Sequence, residues 1–469
     1  MTTDRIPADR TASPTSHRAV PACLAGLLAL LALLPLAGCG GGPERPWNVV
    51  FILVDTLRAD HLSAYGHDRP TSPELDRLAE GSYLFENALA QAGCTFPSVN
   101  SLLTSRHSQH FLGQPEERRM SIPDDLPTLA EILSEAGYAT AAVSASSVVR
   151  ATPSRVNHFG GFGQGFDAFD EECLMADAAC VNARAFEILD GLEAPYFLYL
   201  HYWDPHDPYR PPLHHVRSFP DHDTSHGFLA RGNLWPIIRM LYQDGPHWDL
   251  GPEDVAQIKT LYDEEIRYFD GRLRELLDRL ETRGDLDRTL LVFASDHGDE
   301  HLEHGHIAHC RSLAYQTVVH TPLLLKIPGL PGGRRDARVQ NLDVTPTILD
   351  YLGIPFDDLG FEGRSLRPVI ESEREVHRYV FASQGRSRVV SDGRYKLIHD
   401  IRTGERALYD LAADPGETED LATARPEETD RLEEVLFGWI RSLEGAVGSD
   451  ESLRRADEAE RQLKAVGYL

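Results

Sequence analysis

A set of short, uninterrupted apolar runs separated by helical patterns constrains this chain more than any other feature. Residues 47–54 (WNVVFILV) are apolar and rich in β-branched side chains. Continuous rather than alternating apolar character suits a strand covered on both faces. Comparable runs recur at 139–143, 196–200, 290–294 and 323–327, with helical patterns at 72–79, 129–136 and 255–280. In the last of these, Ile258, Leu261, Ile266, Phe269, Leu273, Leu276, Leu277 and Leu280 form an apolar stripe at helical spacing, which is a core face. Alternating strands and helices predict an α/β fold with a doubly wound sheet. Ligands of such sheets collect at the carboxyl ends of the strands. Asp55 closes the first run and Asp296-His297 closes the fourth.

The segment before the first strand has another character. Arg5, Arg10 and Arg18 precede an apolar run at 24–34, which ends in Leu36-Ala37-Gly38-Cys39. Charge, a short apolar core and then small residues is the order of a secretory signal. The run is shorter than the ~20 residues that a membrane span needs. Leu-Ala-Gly-Cys resembles a bacterial lipobox, which implies an exported cell-envelope protein anchored to the membrane only by a lipid on Cys39. Residues 1–39 are thus a signal peptide including that cysteine, and 40–46 a flexible tether.

The rest exceeds the ~250–300 residues at which single cores stop growing, so a large domain and a smaller one are expected. From about residue 371 the pattern changes to short strands at 379–383, 387–390, 395–399 and 407–409, with glycine-containing turns and then a helix around 429–443. The expected division is a domain at 47–370 carrying the site and a smaller C-terminal α+β domain at 371–469. A formal charge of −27 argues against nucleic acid or an anionic membrane surface as a partner. Residues 208–251 interrupt the alternation and read either as a surface excursion or as a lid over the pocket. Cys173 and Cys180 are close enough in sequence to pair in a loop, and Cys94 and Cys310 flank two site candidates, Thr95 and His309.

The chemistry centres on 92–106 (AGCTFPSVNSLLTSR). Pro97 fits a first helical turn, which puts Thr95 at a helix N-terminus, where backbone N–H groups and the dipole favour an anion. Asp55, Thr95, Asp296 and His297 together make a hard-oxygen and imidazole set for a divalent metal, which would activate the Thr95 hydroxyl. Two histidine groups, His201 to His206 and His304 to His309, could serve the leaving oxygen or the anion.

These motifs resemble the sulfatase family of the alkaline phosphatase superfamily. The stretches that carry the likeness are 48–61, 97–104, His201-Tyr-Trp-Asp-Pro-His-Asp-Pro-Tyr209, Ser295-Asp-His-Gly-Asp-Glu300, 322–329, 343–346, 394–398 and 408–417, all in family order. The resemblance implies an alkaline-phosphatase-like mixed sheet. It places the metal on Asp55, Thr95, Asp296 and His297, the nucleophile at Thr95, and oxyanion or leaving-group roles at His206 and His309, with Lys326 a lesser candidate. It also implies a small-molecule, glycan or lipid-linked anionic ester as substrate. The chain departs from the family where formylglycine is made: Thr95 occupies the position of the converted Cys or Ser, Val99 that of the motif arginine, and Cys94 is one residue early. Thr56 replaces a second aspartate, and His297 stands where calcium enzymes often have Asn. An imidazole ligand favours manganese or zinc over calcium. The expected enzyme is therefore a threonine-dependent ester hydrolase or transferase, with phosphoesters favoured. A sulfuric ester hydrolase and an inactive lipoprotein that binds anionic glycans are the alternatives.

Overall fold

The computed structural model describes residues 46–112, 122–123, 125–157, 159–222, 234, 250–310 and 314–443. The proposed signal, most of the tether, most of 223–249 and the tail after 443 lie outside the described residues. Residues from Pro46 onward form one compact unit.

Its centre is an eight-stranded sheet. In chain order the strands are β1 (Asn48–Val54), β2 (Tyr83–Leu89), β3 (Ala139–Ser144), β4 (Ala168–Asp170), β5 (Tyr196–Tyr202) and β6 (Thr289–Ser295). A two-stranded ribbon, β7 (Glu300–His301) and β8 (Ile307–Ala308), follows, and β9 (Leu323–Lys326) and β10 (Gly333–Gln340) complete the large sheet. The order is β10-β2-β9-β6-β1-β5-β3-β4. β6, β1, β5, β3 and β4 pair in parallel, whereas β9 is antiparallel to both β6 and β2.

β1 shows why its sequence is apolar throughout. Val50, Ile52 and Val54 enter a core shared with the helix Pro252–Thr282, while Val49, Phe51 and Leu53 enter the opposite core with the helices Thr95–Thr104 and Val344–Leu352. All seven residues of the strand are buried. Ile258, Leu261, Ile266, Phe269, Leu273, Leu276 and Leu280 of the long helix are 2% exposed or less. Full burial of each such side chain is worth ~1.5–3 kcal/mol, which fixes the helix along the sheet.

The second sheet is antiparallel, β11 (Val380–Gln384), β12 (Ser387–Ser391), β13 (Tyr395–Asp400) and β14 (Arg406–Asp410), in that order. The helix Pro426–Leu443 covers it through Leu432 and Leu436. Cys173–Cys180 and Cys94–Cys310 are both disulfides. Cys180 lies in the first turn of the helix Ala178–Gly191 rather than in a loop.

Candidate active site

Register places the first site residues side by side. Val54 pairs with Ser295 on β6 and with Tyr202 on β5, so Asp55 emerges between Asp296 and the strand that carries His201. The helix Thr95–Thr104 arrives from the other face with Thr95 as its first residue and all ten residues buried. The Ser98 hydroxyl donates to the Asp296 carbonyl, so the helix start is tied to the end of β6.

The hydrogen bonds fix which atoms face one another. His297 Nδ1 donates to the Gly298 carbonyl at 2.9 Å, which leaves the Nε2 lone pair pointing inward. That nitrogen is 3.2 Å from Thr95 Oγ1, 3.4 Å from Asp296 Oδ2 and 3.8 Å from Asp55 Oδ1. Asp296 Oδ1 accepts from the Thr56 and His297 N–H groups at 3.2 and 2.9 Å. Asp296 Oδ2 and Asp55 Oδ1 are buried without a hydrogen-bond donor. Two carboxylate oxygens and an imidazole lone pair converging in a buried space repel one another unless a cation lies between them. The donor set therefore fits a divalent ion. Burial, and next the charge of Asp296, push the Asp55 carboxyl up to about 8.

Thr56 adopts φ +56°, a conformation that a β-branched residue rarely takes. This turn aims its N–H at Asp296, and its carbonyl accepts from the Tyr262 hydroxyl at 2.6 Å.

His201 was legible only as one of a histidine group, and the structure gives it a distinct place. It is fully buried, and burial lowers its pKa to about 4. As a neutral ring it donates from Nε2 to Asp55 Oδ2 at 3.3 Å and accepts from the Tyr199 hydroxyl at 2.9 Å. This fixes Asp55 with its other oxygen turned to the site. The alternative, in which His201 is itself a ligand with Asp55 and Asp296, is also within reach, since the ligand atoms lie within 4.8 Å of one another.

His206 and His309 close the other side. His206 stacks on Trp203 at 3.8 Å, and its Nδ1 donates to the Asp207 carbonyl at 2.8 Å. Its Nε2 is buried and has no hydrogen-bond partner. The His309 ring lies 4.6 Å from that of His297 and 4.8 Å from that of His206. Burial lowers the His309 pKa to about 3, and its Nδ1 is 3.2 Å from Asp299 Oδ1. Asp299, which sequence reasoning did not single out, accepts a second bond from the Tyr209 hydroxyl.

Two other sequence candidates stay away. His304 stacks on Tyr315 at 3.6 Å and is held by Glu300. Lys326 pairs with Leu291 near the start of β6, at the opposite end of the strands from Asp296.

The sulfatase family model matches residues 47–354, and the model for the N-sulphoglucosamine sulphohydrolase C-terminal region matches 303–437. The N-acetylglucosamine-6-O-sulfatase of Bacteroides thetaiotaomicron is 26% identical, over 83% of this chain and 86% of that protein. A solved structure in complex with its substrate D-glucosamine-2-N,6-O-disulfate superposes with TM-score 0.68 at 21% identity, covering 86% of this chain and 98% of that one. The phosphonate monoester hydrolase of Agrobacterium radiobacter gives TM-score 0.67 at 22% identity, over 86% and 95%.

Proposed function

Because the chain belongs to the sulfatase family of metal-dependent ester hydrolases, we propose that it cleaves phosphate esters with Thr95 as nucleophile. The observation that carries this reading is the Thr95 hydroxyl 3.2 Å from His297 Nε2, beside the two carboxylate oxygens that lack a donor. Asp55, Asp296, His297 and Thr95 would hold the divalent ion, manganese or zinc rather than calcium. When bound, the ion lowers the pKa of the threonine hydroxyl and offsets charge on the ester.

The chain's own groups then divide the work. Thr95 Oγ, its proton released to water on activation, attacks phosphorus and forms a covalent threonyl ester as the bond to the leaving oxygen breaks. His206 is the better placed acid: its Nδ1 proton is held by the Asp207 carbonyl, so as an imidazolium it carries a second proton on Nε2, and passing that proton to the departing oxygen leaves the neutral ring. His309, kept neutral by burial, faces the ester oxygens. The dipole of the helix Thr95–Thr104 favours the anion at its N-terminus. Water, or an acceptor alcohol, completes turnover by attack on the threonyl ester.

Phosphoesters suit this nucleophile because a sulfate on a plain hydroxyl lacks the hemiacetal route by which formylglycine releases it. Sulfate ester hydrolysis is the second reading, supported by the name of the Bacteroides relative, and a sulfated or phosphorylated glycan is the corresponding substrate class. Export and lipid anchoring at Cys39 complete the proposal, since the lipobox would set the enzyme on the cell envelope.

Mass spectrometry of metal-replete protein incubated with an aryl phosphodiester, an aryl phosphate and an aryl sulfate tests the mechanism. A phosphoryl adduct on Thr95 and loss of turnover in Thr95→Ala are expected. Full turnover by Thr95→Ala would sink the nucleophile, and turnover of the aryl sulfate alone would replace the phosphoester reading.

A further inference from the structure

We propose that Gln384, a residue of the C-terminal sheet, is a positioning residue for Thr95 and His309. The inference rests on Thr95 being the nucleophile. Cys94 precedes Thr95, Cys310 follows His309, and the two cysteines are bonded, so one covalent link joins the two segments. Their backbones are also joined, by the Cys310 N–H donating to the Gly93 carbonyl at 2.9 Å. Gln384 supplies the third tie. Its Oε1 accepts from the Gly93 N–H at 2.8 Å, and its Nε2 donates to the Cys310 carbonyl at 2.6 Å. The same nitrogen lies 3.4 Å from Cys94 Sγ.

A single planar group must here accept at one end and donate at the other, and a primary amide does so. Methionine has the length but neither function, and glutamate would set an acceptor against the Cys310 carbonyl. The fit is close: a Cβ on Gly93 would fall 2.3 Å from Val318 Cγ1, so only glycine lets the segment approach. Gln384 is seated in turn by the neighbouring Ser383 N–H, which donates to the Gln91 carbonyl at 2.9 Å.

The loop that aims His309 needs such support. Ala308 and Cys310, on either side of it, have φ of +65° and +67°. Non-glycine residues hold that conformation only where the surroundings over-determine it. The smaller sheet thus reaches the site through one buried amide while contributing none of the proposed metal ligands.

The test is steady-state kinetics of full-length, metal-replete Gln384→Met with bis(para-nitrophenyl) phosphate and para-nitrophenyl sulfate, well below its thermal midpoint. Misplacing the nucleophile should lower kcat about 10–100-fold and leave KM within about 2-fold. Reduction of the disulfide should cost the variant a larger factor than it costs the wild type, because each tie compensates for the other. A wild-type kcat in Gln384→Met, or a loss confined to thermal stability, overturns the proposal. Should that variant not fold, Gln384→Asn, whose amide is one methylene short, carries the same two outcomes. Thr95→Ala run alongside separates the readings: if it is inactive while Gln384→Met is fully active, only the positioning role fails. Full activity of Thr95→Ala, or no turnover by the wild type, removes both.

Discussion

Metal affinity should rise about 50-fold between pH 6 and pH 8, because the ion must displace a proton from Asp55. Complete burial is the larger cause of the raised pKa of about 8, and the neighbouring Asp296 charge comes next. With that value the ionised fraction is roughly one in a hundred at pH 6 and about one half at pH 8, a difference of about 2 kcal/mol. The sign for stability is opposite. In the metal-free protein the folded pKa of Asp55 lies above its unfolded value, so its contribution is present at low pH and lost as pH rises through about 8. Metal-free wild type should therefore lose ~2 kcal/mol relative to Asp55→Asn between pH 6 and pH 8, since the amide is fixed in the neutral state. Calorimetric titration of manganese or zinc into chelator-treated protein at pH 6, 7 and 8 measures the first effect, and urea unfolding of both metal-free proteins the second. An affinity that is flat across this range, or an Asp55→Asn protein less stable than wild type at pH 8, would refute the account of the buried carboxylate pair.

Two further predictions concern buried polar pairs, one beside the site and one in the C-terminal sheet. His201→Phe removes the donor that orients Asp55, and metal affinity should fall about 10–100-fold while the fold is kept; unchanged affinity by the same titration would show that the bond to Asp55 has no such role. Lys396 is fully buried and lies 2.8 Å from Glu417 Oε1, so Lys396→Met should destabilise by ~3–5 kcal/mol by stranding the carboxylate. The double variant Lys396→Met with Glu417→Leu should recover most of that loss in urea unfolding, and a single variant within 1 kcal/mol of wild type would contradict it.

The sheet was legible where burial on both faces forces continuous apolar sequence. β1, β3, β5, β6 and β9 stand out for that reason. β2 hides because Glu86, half-buried, and Asn87, exposed, interrupt its apolar run. β10 hides because an edge strand carries charge, here Arg334, Arg335, Asp336 and Arg338. Asp55 and Asp296-His297 were visible as strand-end residues, and register explains why they meet. His201 and Gln384 act through partners far away in sequence, and Asp299 meets His309 across the β7–β8 turn; no periodicity marks such contacts. His304 belongs to the same histidine group as His309, yet the turn between β7 and β8 sends it to Tyr315 and Glu300.

Val99 shows how a departure from the family pattern can be read in physical terms. Where the motif has arginine, this side chain is fully buried in the apolar cluster that includes Phe96, Leu102 and Leu103. The exchange removes a cation, and it also anchors the helix that begins at Thr95 by ~1.5–3 kcal/mol of apolar burial. The helix start is then held on several sides: Val99 in the core, the Ser98 hydroxyl on the Asp296 carbonyl, and Cys94 on the His309 segment. Thr95 has one χ1 torsion to place once its backbone is fixed. A side chain so restrained loses little further freedom on reaching the reacting geometry. On the proposed mechanism, anchoring of the helix supplies position, offsetting the charge of the ester falls to the metal, and His309, a neutral ring, contributes a hydrogen bond rather than a charge.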